Sequence, residues 1–102
     1  MPKDSEKRAN PRARLARKLR IRPSEFYANN FEEIVTSVNV SKRGIYFYSS
    51  SNFYRVGLSL FVTYPFTSLD DPIKSDYFAE VVRIDDLAGG KRGIAIYLRS
   101  SV

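Results

Sequence analysis

A chain of 102 residues, 43% hydrophobic and 27% charged, has the length of one domain and enough apolar mass for one modest core, so one folded domain is expected within it, without wholesale disorder. It contains no Cys and no His, so disulfides, thiolate nucleophiles, imidazole bases and nitrogen- or sulfur-based metal sites are excluded, together with the enzyme classes that depend on them. The net charge of +6 is unevenly spread: residues 1–22 carry nine Lys and Arg against Asp4 and Glu6, a balance of +7, and the remainder carries eight basic against nine acidic residues, or −1. The expected organisation is a near-neutral body with a flexible basic N-terminal arm over residues 1–18, and an anionic partner is expected to meet that arm first.

Pro11 and Pro23 bracket the basic stretch 12–20 too closely for a helix stable in water, and residues 19–22 predict a first strand entered from the arm. Residues 33–40 alternate and are rich in β-branched side chains. They predict a strand with Ile34, Thr36, Val38 and Val40 on one face and Val35, Ser37 and Asn39 on the other. Residues 41–44 read as a turn. Residues 45–48 resume an extended pattern, with Ile45 and Phe47 toward a core and Tyr46 and Tyr48 outward. After a polar break at 49–52 come three more β-rich runs, 58–64, 77–83 and 93–98, separated by residues 65–76 and by the turn at Gly89-Gly90. About six short strands without a sustained helical period predict a small all-β barrel or sandwich, and barrel closure would hide the sheet edges. The longest uncharged stretch around the hydrophobic middle, residues 57–69, is shorter than the ~20 residues of a membrane-spanning helix. No apolar h-region follows the basic N-terminus, so no secretory signal is expected and the cytoplasm is the default compartment.

Two patterns carry chemistry. In Arg8-Ala-Asn-Pro-Arg12, two guanidiniums stand four residues apart on a segment held partly extended, because Pro11 restricts Asn10. Each offers a planar fork of donors that can grip a phosphate or pair with the O6 and N7 edge of guanine. In Asn39-Val40-Ser41-Lys42-Arg43-Gly44, Asn39 and Ser41 can face one side of an extended segment, and Gly44 is expected to supply a positive φ and to admit a flat ring close to the backbone. Their amide and hydroxyl suit a base edge or a ribose.

Together these residues resemble the PilZ domain family, bacterial receptors for cyclic di-GMP, whose signature is RxxxR on an N-terminal arm and, about 25 to 30 residues later, [D/N]xSxxG. Here Arg12 and Asn39 are 27 positions apart. The resemblance extends over nearly the whole chain, through Gly44-Ile-Tyr-Phe, Val56-Gly57, Val81-Val82-Arg83 and Gly93-Ile-Ala. It implies a six-stranded antiparallel β-barrel over residues 19–102. The arm's Arg8 and Arg12 would wrap cyclic di-GMP against a face carrying Asn39, Ser41 and Gly44, with Arg14 and Arg43 as further candidates. Binding would order the arm and signal to a protein effector, with no cofactor and no catalysis. Asn39 stands where an Asp is commoner, leaving one acceptor oxygen for guanine donors. The last β-rich run ends close to Val102, without the C-terminal helix of many family members.

The plainer readings set the alternatives. Arg17, Lys18, Arg20 and Arg22 read as solvated charges. Tyr46, Phe47, Tyr48, Phe53 and Tyr54 read as core or sheet surface, with stacking of an exposed ring on a nucleotide or partner as the less favoured alternative, and Asp70, Asp71, Asp85 and Asp86 read as loop carboxylates without chemistry. Two rival functions remain open: a small barrel binding single-stranded nucleic acid, which is less favoured, and a PilZ-like protein interaction module that binds no nucleotide.

Overall fold

A computed structural model describes residues 16–24, 31–68 and 75–102. Within them the β-rich runs form six strands: β1 (Lys18–Pro23), β2 (Glu33–Val40), β3 (Gly44–Ser49), β4 (Ser59–Thr63), β5 (Asp76–Asp86) and β6 (Arg92–Ser101). Their order is β1-β2-β3-β6-β5-β4. Every neighbouring pair is antiparallel, and β1 pairs with β4 to close a barrel. Closure leaves no sheet edge open along the ring, as expected for a small all-β domain. No helix among the described residues is long and apolar enough to cross a membrane.

Alternation along each strand builds the core. Leu19 and Ile21 of β1, Ile45 and Phe47 of β3, Leu60 and Val62 of β4, Ala79 and Val81 of β5, and Ile94 and Ile96 of β6 are all buried in one cluster. The outward side chains of β1 are not the solvated charges expected of Arg20 and Arg22. Arg20 pairs with Glu32, Nε to Oε2 at 2.7 Å, and Arg22 lies 4.5 Å from the centroid of the Phe61 ring. Burial lowers the Arg22 pKa from its ordinary value, with Arg20 adding to the effect.

One region of the interior is filled by aromatic rings from the chain before β2 and after β3. Phe31 stacks on Phe53 at 3.9 Å, and both rings meet Tyr54 edge-on at 5.6 Å. The Tyr54 hydroxyl donates to Glu33 Oε1 at 2.8 Å, and Ser49 Oγ donates to the same carboxylate at 3.0 Å. Arg92 donates to the carbonyls of Ser51 and Tyr54, at 3.2 and 3.1 Å. Burial, reinforced by Glu33, pushes the Tyr54 phenol far above the usual tyrosine range.

Three expectations are corrected. β5 and β6 run further than the apolar pattern suggested, so Asp85 and Asp86 lie in β5 rather than in a loop. The Gly89-Gly90 turn does have positive φ, 73° and 75°, but Gly44 is not among the glycines with that conformation in the described residues. Finally, the two faces of β2 exchange partway along. Ile34 and Thr36 point outward and Val35 and Ser37 inward, yet beyond Ser37 it is Val40 that packs on the core.

Candidate functional site

A register shift explains that exchange. Ser37 pairs with Phe47 and Asn39 with Tyr46, so two steps along β2 oppose one step along β3 and Val38 is the extra residue of a bulge. An uninterrupted strand would leave Asn39 on the inward face with Ser37, which is 3% exposed. The bulge re-aims Asn39 outward. A second bulge lies across the barrel wall: Val81 pairs with Ile96 and Arg83 with Ala95, making Val82 the extra residue of β5. Between these bulges, on the outer face of β3 and β6, lies a groove of about 460 Å³.

Asn39, Ser41 and Gly44 all line this groove, so the structure brings the three together. The Ser41 N–H donates to the Gly44 carbonyl at 2.9 Å and closes the β2–β3 hairpin around Lys42 and Arg43. Glycine at 44 matters for space rather than for its φ, which is not in the positive region. A Cβ there would come within 3.1 Å of Ser41 Oγ, so any larger side chain would crowd the hydroxyl and cover the floor. Gly44 pairs with Tyr97 and Tyr46 with Ala95, and the small Ala95 lies between the two tyrosine positions.

The far wall joins Tyr46, weighed from the sequence only as a ring that could stack, to Arg83 and Asp85, which the sequence did not single out for binding. Tyr46 donates its hydroxyl to Asp85 Oδ2 at 3.0 Å. Arg83 pairs with the same carboxylate, Nε to Oδ1 at 3.2 Å and Nη2 to Oδ2 at 3.3 Å, and its guanidinium lies 5.6 Å from the Tyr46 ring centroid. Hydrogen bonds from Arg83 and then Tyr46 hold the Asp85 carboxyl below its ordinary range, and Asp85 in turn raises Arg83. Desolvation and the bond to Asp85 raise the Tyr46 phenol. At neutral pH the wall is therefore a cation, a carboxylate and a protonated phenol. The available signal was Arg83-x-Asp85, two opposite charges two residues apart on one strand face, but the loop reading of Asp85 hid it.

Arg43 is placed elsewhere. Its Nη1 donates to the carbonyls of Leu98 and Arg99 at 2.7 and 3.3 Å, and it borders a separate hollow with Lys42 and Tyr77. Arg8, Arg12 and Arg14 lie outside the described residues. The described chain begins at Ala16, and Arg17 is held at the β2 bulge: its N–H donates to Ser37 Oγ at 3.1 Å and its carbonyl accepts from the Ser37 N–H at 2.8 Å. Arg12 is five residues upstream, a tether of at most ~18 Å, from an anchor beside the groove's Asn39 edge. Among the described residues no group of three His, Cys, Asp or Glu side chains is placed to hold a metal ion.

Neither the known family models nor the curated proteins match this chain. Among solved structures, it is similar to the Bacillus subtilis inhibitor of motility (MotI/DgrA), with a TM-score of 0.66 and 22% identity over 90% of this chain and 42% of that one. The likeness shows a shared fold. This chain spans less than half the length of that solved chain.

Proposed function

We propose that this chain is a PilZ-like receptor domain for cyclic di-GMP, acting as a non-enzymatic adaptor in the bacterial cytoplasm. In this reading Arg8 and Arg12 grip the dinucleotide and press it onto the groove bearing Asn39, Ser41 and Gly44. Ordering of the arm then alters the surface offered to a protein effector. The observation that carries the reading is the convergence at the β2 bulge: the bulge turns Asn39 into the groove, and Ser37 tethers the arm's exit at the same place. The shared fold with MotI/DgrA supports a PilZ-like barrel. Cyclic di-GMP suits the chemistry, since it joins two phosphates, for which basic forks are fitted, to flat bases with donor and acceptor edges.

A second reading draws on the rings of the same face. Tyr48 lies 5.2 Å from Lys91 Nζ, and Tyr97 lies 5.9 Å from both the Arg43 and the Arg99 guanidinium, an arrangement that also suits stacked bases of single-stranded nucleic acid. Titration calorimetry with cyclic di-GMP, with GTP and single-stranded RNA as controls, separates the two. The receptor reading expects saturable binding of cyclic di-GMP alone, with modest salt dependence. Binding of RNA that weakens steeply with salt, without cyclic di-GMP binding, would replace it with the second reading. Binding of neither would favour a protein interaction module.

A further inference from the structure

The far wall of the groove shows a specific construction. Across β3, β6 and β5, Tyr46, Ala95 and Arg83 form one outward row, and Tyr48, Gly93 and Asp85 form the next. Tyr46 does not stand upright in its own row. Its ring leans diagonally across Gly93 to reach Asp85, and a methyl group at 93 would overlap the Tyr46 hydroxyl. The lean leaves Ala95 uncovered as groove floor. Gly93 thus permits the lean, and Asp85 fixes it.

Asp85 also fixes Arg83. It engages one N–H on Nε and one on Nη2, which leaves three of the five guanidinium N–H groups free. The Arg83 side chain remains 63% exposed and borders the groove, so those donors are available to a ligand. Its charge, however, is matched by Asp85 at contact distance. A locally neutral pair is poorly suited to adding attraction for a phosphate, but a planar fork with free N–H groups suits a neutral acceptor edge. The floor beneath, Ala95 between tyrosines, suits a flat ring.

We propose that Arg83 is a specificity-determining contact to the O6 and N7 acceptor edge of a guanine seated on Ala95, with Asp85 and Gly93 as positioning residues that aim it by holding Tyr46 down. The proposal rests on the receptor reading above and adds to it a source of base selectivity carried by the barrel itself, independent of the arm. Adenine presents a donor where guanine presents O6, so the contact discriminates between purines.

The test compares cyclic di-GMP with cyclic di-AMP by calorimetry on the wild-type chain and on Arg83→Ala, Arg83→Lys, Asp85→Asn and Arg99→Ala. Arg83→Lys keeps the charge and loses the fork. Arg99→Ala removes a cation from the neighbouring strand whose guanidinium pairs with Glu80. Both Arg83 variants are expected to weaken cyclic di-GMP roughly tenfold or more and to shrink the preference over cyclic di-AMP by a similar factor. Asp85→Asn is expected to lose affinity and preference together, roughly severalfold, and Arg99→Ala to lose less than about twofold, with folding confirmed by circular dichroism. A wild-type chain that binds no cyclic di-GMP overturns this proposal and the receptor reading together. A wild-type chain that binds it, with an unchanged preference in Arg83→Lys or equal losses for both dinucleotides, overturns the guanine contact alone and leaves the receptor reading standing.

Discussion

Two tyrosine–carboxylate pairs in this barrel make nearly the same bond in opposite surroundings. Tyr54 donates to Glu33 at 2.8 Å and Tyr46 to Asp85 at 3.0 Å. Tyr54 is 2% exposed, packed against Phe31, Phe47 and Phe53, and its carboxylate partner takes a further donor from Ser49. That network closes on itself, as a buried polar group must if it is not to destabilise the fold. Asp85, by contrast, holds a partly exposed tyrosine and an arginine with donors to spare, over a floor of small residues. The first pair belongs to the fold, and the second keeps donors open toward the groove.

The comparison breaks most directly under alanine substitution. Tyr54→Ala deletes a fully buried ring and is expected to cost ~3–5 kcal/mol, a large share of the ~5–15 kcal/mol that a small domain holds. Tyr46→Ala removes a ring from the outer wall and is expected to change the urea midpoint far less while weakening nucleotide binding. Similar losses of stability in the two variants would erase the distinction between closed and open networks.

The next effect belongs to binding alone. Arg8→Ala and Arg12→Ala are each expected to weaken cyclic di-GMP roughly tenfold or more, from ~1–3 kcal/mol per bidentate guanine contact, with the thermal midpoint nearly unchanged. Amide exchange is expected to show protection gained across residues 8–14 on adding cyclic di-GMP, with residues 58–62 little altered. Wild-type affinity in both arginine variants removes the arm clamp, and unchanged exchange across 8–14 at saturation removes the ordering step.

Strand positions were legible because period-2 alternation survives wherever a strand is regular. Ile45, Phe47, Tyr46 and Tyr48 fall on the sides their pattern indicates. The faces of β2 were not legible past Ser37, because a bulge inserts one residue and no side chain in Ser37-Val38-Asn39 announces it. The same property hid half of the site. Arg83 and Asp85 face outward, rather than inward with Val81, only through the Val82 bulge, and the role of Gly93 emerges only when the Tyr46 ring is seen to cross it. Motif residues clustered on one hairpin, Asn39, Ser41 and Gly44, needed no long-range register to be found. The wall opposite them joins strands 39 residues apart in sequence.

A smaller effect sharpens the near edge of the groove. Asn39→Ala and Ser41→Ala each remove one or two neutral hydrogen bonds at ~0.5–1.5 kcal/mol net, so calorimetry is expected to show weaker binding than wild type but less loss than at Arg8 or Arg12. Asn39→Asp discriminates further. If residue 39 faces guanine N–H donors, the carboxylate binds equally or more tightly; a large loss means that it faces a phosphate.

The smallest effect separates the two tyrosines by pH. The Tyr54 phenol is raised far above the usual value of 10.0, first by burial and then by its bond to Glu33. The unfolded chain therefore loses this proton at ordinary alkaline pH while the folded chain keeps it. The folded state then holds more protons, and stability falls as pH rises. The stabilisation is fully present below the unfolded value and declines through and above it. Thermal midpoints of the wild-type chain are expected to drop between about pH 9 and 11, and Tyr54→Phe, which has no proton to lose there, is expected to show a shallower decline. Tyr46 is raised in the same direction at a far less buried position, so Tyr46→Phe is expected to leave the wild-type slope nearly intact. Equal flattening by the two substitutions would mean that the outer phenol is as sealed from water as the inner one, which is the condition a groove open to a nucleotide cannot meet.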